Sequence, residues 1–189
     1  MSDHQLVLPK AAKVRRPIYA HAILHVRAVL DVAPEGVEAV VGGARVPLAL
    51  ADRAARQLAE IPPGQVQQLS LWPRTTEDGV LEERPVLFQI MPARAADAKP
   101  HLDVAGVVEA VLKEEGLLQV RIDPNTRTNL AEPFALNLWM PLEGLERQYV
   151  GRTVQVFGEW RLGSGRLVAT SARRVDLEAP QRGEEKHAS

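Results

Sequence analysis

The chain has 189 residues, 46% of them hydrophobic and 25% charged, with a formal net charge of −1 and frequent Pro (14) and Gly (13). That length allows one large domain or two small ones, and the spacing of Pro and Gly disfavours a bundle of long helices and suits short strands joined by turns. Cysteine is absent, which excludes disulfides, thiolate metal sites and a cysteine nucleophile, and the near-neutral charge argues against a globally basic nucleic-acid binder while leaving a local patch open.

Residues 1–16 include a basic arm, PKAAKVRRP, with Lys10, Lys13, Arg15 and Arg16. From Ile18 to Val32 the sequence alternates, with Leu24, Val26 and Leu30 on one face and His21, His25 and Arg27 on the other, the pattern of a half-buried strand. Gly36 to Leu50 reads as two short strands around Gly42-Gly43, a dipeptide suited to the positive φ of a hairpin turn. Ala51 to Ile61 has helical spacing and stops at Pro62-Pro63. Gln65–Trp72 and Pro85–Met91 are strand-like and are joined by a polar loop.

The small, charged segment ARAADAKP (93–100) marks a boundary, so residues 17–95 form a first expected unit and residues 96–177 a second. The second repeats the order of the first: strands at Leu102–Leu112, Leu117–Ile122 and Phe134–Met140, a short helical segment at Leu142–Val150, and a hairpin of Thr153–Arg161 and Arg166–Val175 across LGSG. Residues 178–189 have almost no apolar content and read as a disordered tail. No stretch approaches the length of an apolar membrane span, and the start MSDHQ lacks the apolar region of a secretory signal, so the expected location is cytoplasmic.

Chemistry-bearing motifs are few. His21 and His25 lie on a strand, where four residues span about 13 Å and cannot share one ion with bonds of about 2 Å. The sequence contains no P-loop, G-x-S-x-G or dinucleotide fingerprint, and its Glu pairs fall in loop, turn and tail. The expectation is therefore a non-enzymatic protein with no catalytic residue, no metal and no cofactor.

Five strands with one helix before the fourth, repeated, resemble the OB-fold, a five-stranded Greek-key barrel with a helix between strands three and four. The closing segments GQVQQLSLWPR and GRTVQVFGEWR correspond, placing Trp72 and Trp160 in like positions, and VQVFGEWRLGSGRLVATSARRVDL is similar to the last two strands of many OB domains. The expected fold class is accordingly mainly β, two OB-like barrels in tandem. The resemblance is to replication protein A-like and bacterial single-stranded DNA-binding proteins. It implies binding of single-stranded nucleic acid, DNA in preference to RNA, with a protein adaptor or structural subunit of a larger assembly, or a homo-oligomer, as the alternative.

Alternation then selects candidate ligand contacts. With Leu118, Val120 and Ile122 inward, Gln119 and Arg121 face outward; with Phe134, Leu136, Leu138 and Met140 inward, Ala135, Asn137 and Trp139 do. Together with Arg127 in the adjacent loop these residues combine a stacking ring, guanidinium groups and amides, the parts of a single-strand platform. Packing of Trp139 against the other unit is the competing reading. Further candidates are Tyr19, Arg27, Arg45, Trp72, Arg74, Arg161 and the basic arm.

Overall fold

The computed structural model describes residues 17–93, 100–125, 132–141 and 149–178. The basic arm, most of the expected helix at 142–150 and the tail after residue 178 lie outside the described residues. The chain is mainly β, with ten strands and one helix among the described residues.

The first half contains β1 (His21–Ala33), β2 (Gly36–Val41), β3 (Ala44–Leu50), α1 (Asp52–Leu58), β4 (Val66–Trp72) and β5 (Val86–Pro92). The period-two pattern of β1 is realised directly: Ala22, Leu24, Val26, Ala28 and Leu30 are buried and the residues between them are partly exposed. Gly42 and Gly43, at φ 56° and 87°, make the β2–β3 turn. The helix is shorter than its periodicity suggested. It starts without a side-chain cap and ends at Leu58, and Gln57 fixes it to β5 by donating to the Ile90 carbonyl (3.1 Å) and accepting from the Ile90 N–H (3.0 Å).

The second half contains β6 (His101–Leu112), β7 (Leu117–Ile122), β8 (Phe134–Trp139), β9 (Thr153–Arg161) and β10 (Arg166–Arg174). In each half the pairing order is the same. β1 pairs with β2, β2 with β3, β3 in parallel with β5, β5 with β4, and β4 with β1 again; β6, β7, β8, β10 and β9 repeat that circuit. The arrangement is consistent with an OB-like sheet.

β1 is long enough to serve three partners. Val29–Ala33 pair with β2 and Leu24–Val29 with β4, while His21–His25 pair antiparallel with His101–Ala105 of β6. This seam joins both halves into one ten-stranded sheet and covers what would otherwise be an exposed edge. Ile23 opposes Asp103 at its centre, so His21 and His101 occupy matching positions. From there Leu24↔Leu71 matches Val104↔Val156, which makes Phe157, not Trp160, the counterpart of Trp72. The motif comparison had aligned two tryptophans whose environments differ: Trp160 is only 8% exposed, within the core cluster.

A second connection comes from the β4–β5 loop, residues 73–85. Leu81 N–H donates to the Gly165 carbonyl (2.8 Å) and Leu167 N–H to the Gly79 carbonyl (3.2 Å), tying the loop to the start of β10. Gly79, at φ +71°, lies so close to β8 that a Cβ there would sit 2.9 Å from the Trp139 ring and 3.0 Å from the Asn137 carbonyl. No helix among the described residues is long and apolar enough to cross a membrane.

Candidate nucleic-acid interface

On β7 and β8 the expected inward residues Leu118, Val120, Ile122, Leu136 and Leu138 are all within the core, leaving Gln119, Arg121, Asn137 and Trp139 on the outer side. The structure brings these four together and then engages them internally. Gln119 donates to the Asn137 side-chain oxygen (3.1 Å), and Asn137 donates through its backbone N–H to Thr75 Oγ1 (2.8 Å) and through its amide to the Thr76 and Glu77 carbonyls. Trp139 Nε1–H donates to the Asp78 carbonyl at 2.7 Å, and the Arg166 guanidinium lies 3.7 Å from the ring centroid. Arg121 pairs with Asp123 (2.8 Å) and Glu109 (3.2 Å), which raise its pKa and neutralise its charge locally. This face therefore receives the β4–β5 loop, in line with the packing reading of Trp139.

Where β4 ends, the same loop builds a different surface. Trp72 stacks on Phe88 with centroids 4.8 Å apart and planes 15° from parallel. Arg74 places its Cζ 3.3 Å from the Phe134 ring centroid, so a side chain of the first half covers an aromatic ring of the second. Beside them lies a cavity of about 80 Å³, bordered by His21, Ala22, Trp72, Arg74, Val86, Ile122 and Phe134. Arg74 Nη1 is buried, with no hydrogen-bond partner among the described residues. Burial lowers the Arg74 pKa and the charge of Glu82 opposes this, but guanidinium remains charged at any physiological pH.

The seam carries a polar network on its outer side. His21 donates from Nδ1 to the Tyr19 carbonyl (2.7 Å), and its Nε2 lies 3.2 Å from Asp103, so both ring nitrogens face oxygen acceptors, as suits an imidazolium. Burial alone would lower the His21 pKa; the hydrogen bonds to Asp103 and Tyr19 and the Asp103 charge raise it overall. Burial opposes ionisation of Asp103 too, yet bonds from His21 and Gln155 hold its pKa below the ordinary value. His25 bonds Ser70 Oγ at 3.1 Å and stacks on His101 with centroids 4.6 Å apart, and burial followed by the His101 charge lowers its pKa. Among the described residues no group of three or more His, Asp or Glu is arranged to hold a metal ion.

The remaining sequence candidates scatter. Arg45 sits between Asp31 (2.7 Å) and Glu38 (2.8 Å), leaving that hairpin acidic, and Arg161 pairs with Glu159 (3.0 Å). Arg27 lies on the outer side of β1 with Nε buried and without a hydrogen-bond partner among the described residues; Tyr19 precedes β1 at half-buried depth. Lys10, Lys13, Arg15, Arg16 and Arg127 lie outside the described residues. Sequence reasoning selected Trp72 and Arg74 but missed their partners. Phe134 packs against the core as strand parity expects, but its cover by Arg74 was not foreseen; Phe88 and Arg166 gave no local signal, because their neighbours come from distant segments.

No family model and no curated protein matches the chain. Among solved structures, a deletion mutant of the single-stranded DNA binding protein from Thermus aquaticus is similar over 86% of this chain and 98% of that one, at 12% identity and a TM-score of 0.47. The resemblance is one of fold only.

Proposed function

We propose that the protein is a non-enzymatic binder of single-stranded nucleic acid, built as two tandem OB-like barrels at residues 17–95 and 96–177. The observation that carries this reading is the group of Trp72, Phe88, Arg74 and Phe134 where the halves meet, stacked rings beside a guanidinium whose buried N–H lacks an acceptor. Stacking surfaces combined with cations are what a flexible single strand needs, since its bases present π-faces and carbonyl acceptors that a duplex hides. The paired circuit of strands in each half supplies the scaffold on which such surfaces commonly form. DNA is the favoured ligand in this reading, as the resemblance of the strand and helix order to single-stranded DNA-binding proteins implies.

Arg127 and the basic arm add phosphate contacts in this reading, while the face of Gln119, Asn137 and Trp139 is taken up by the β4–β5 loop. Titration of the protein with single-stranded and duplex oligonucleotides, followed by intrinsic Trp fluorescence, tests it. Quenching by single strands and not by duplex supports the proposal; no change with either refutes it. The adaptor reading draws on Phe157, which is 37% exposed at the outer face of β9. Fluorescence that changes only with protein concentration would favour that alternative.

A further inference from the structure

We infer that one nucleic-acid strand is bound across both halves on the outer face of the β1–β6 seam, stacking on Trp72 at one side and on Phe157 at the other. The inference rests on the proposed single-strand binding and names the path the strand takes. Strand register carries it. Ile23 opposes Asp103 and Asp103 opposes Phe157, while Trp72 follows Leu71, the partner of Leu24 beside Ile23. Leu71 and Val156, the neighbours of the two rings along their strands, are in the core, so Trp72 and Phe157 turn to the outer face. The rings thus stand in one row, at equivalent places in the two halves, three strand spacings or about 14 Å apart.

Each ring is backed from the equivalent adjoining strand: Phe88 of β5 stacks on Trp72, and the Arg173 guanidinium of β10 lies 5.7 Å from the Phe157 centroid. Phe157 and Arg173 are both exposed. The charge of the face suits a polyanion. Arg173 donates to the uncharged Gln155 (2.6 Å) and has no carboxylate partner among the described residues. The carboxylates nearby are already engaged, Asp103 by His21 (3.2 Å) and Gln155 (2.9 Å), and Glu159 by Arg161 (3.0 Å). An exposed ring beside an uncompensated guanidinium favours a strand of stacked bases and phosphates over a protein partner, whose contact core would be depleted of charge.

The test uses the full chain and labelled oligothymidylate, with affinity read by anisotropy over a series of salt concentrations. Phe157→Ala and Phe157→Leu are each expected to lower affinity about fivefold or more, and Phe157→Tyr to retain it, because stacking needs a ring and not apolar volume alone. Arg173→Gln is expected to weaken binding and to reduce the salt slope by about one. Oligonucleotides containing 5-iododeoxyuridine give a readout that does not depend on a variant folding: cross-links to both Trp72 and Phe157 support the path. Unchanged affinity for Phe157→Ala and Arg173→Gln, with wild-type binding intact, overturns the path and leaves the proposed function standing. Self-association lost in Phe157→Ala at unchanged oligonucleotide affinity assigns the ring to a protein contact and also overturns it. Absence of binding to every oligonucleotide overturns both the path and the proposed function.

Discussion

Trp139→Ala separates a fastener between the halves from an open stacking platform. The wild-type indole donates to the Asp78 carbonyl at 2.7 Å, has the Arg166 guanidinium 3.7 Å from its centroid, and packs beneath Gly79. Losing the hydrogen bond costs about 1 kcal/mol and the cation–π contact about 0.5–1 kcal/mol. Full burial of an aromatic ring makes truncation to Ala cost about 3–5 kcal/mol, so a half-buried ring contributes about 2 kcal/mol. The sum, about 3–4 kcal/mol, lowers Tm by about 10 °C in a chain of this size. Calorimetry measures this shift, and limited proteolysis should find new cleavage within residues 73–85. Trp139→Phe, which keeps a ring but loses the N–H, should show about a third of the effect. An unchanged Tm and protease pattern for Trp139→Ala, with oligonucleotide affinity nevertheless lost, would refute the fastener and restore the open platform.

Three further outcomes follow from the same geometry. Gly79→Ala forces a side chain into left-handed backbone at about 1–2 kcal/mol and pushes on the Trp139 ring, so urea denaturation should show a lower midpoint. Arg121→Ala should change oligonucleotide affinity less than about twofold, and less than Arg173→Gln does, because Asp123 and Glu109 already neutralise Arg121; anisotropy titration compares the two. The histidines should give stability two opposing pH dependences, measured as urea midpoints between about pH 5 and 8. The raised pKa of His21 adds stability that is full below its ordinary value of 6.5 and is lost as pH rises through the folded value. The lowered pKa of His25 adds stability that is full above 6.5 and is lost as pH falls towards its folded value. His21→Asn should therefore flatten the alkaline limb and His25→Asn the acidic limb; a profile unaltered by both would contradict the seam network.

Local patterns carried most of the fold. Alternation in HAILHVRAVLDVA specified which face of β1 is buried, Gly42-Gly43 marked a turn, and Pro62-Pro63 closed the region of α1. The β1–β6 seam was not legible, because parity says which way a side chain points and not which strand lies alongside. The same limit explains the site. Trp72 and Arg74 stood out as an aromatic and a cation near a strand end, but their value comes from Phe88 and Phe134, brought to them by long-range pairing. Arg121 looked available until Asp123 and Glu109 were seen beside it, and the Trp72–Trp160 correspondence gave way to Trp72–Phe157 once the strand register was fixed.

The most direct test of the central claim is fluorescence anisotropy of a labelled oligothymidylate titrated with the full chain at low salt. Saturable binding at micromolar protein or below, weakened by added salt and competed by unlabelled single strand but not by duplex, is the predicted result. A flat titration at micromolar protein and low salt would contradict the account.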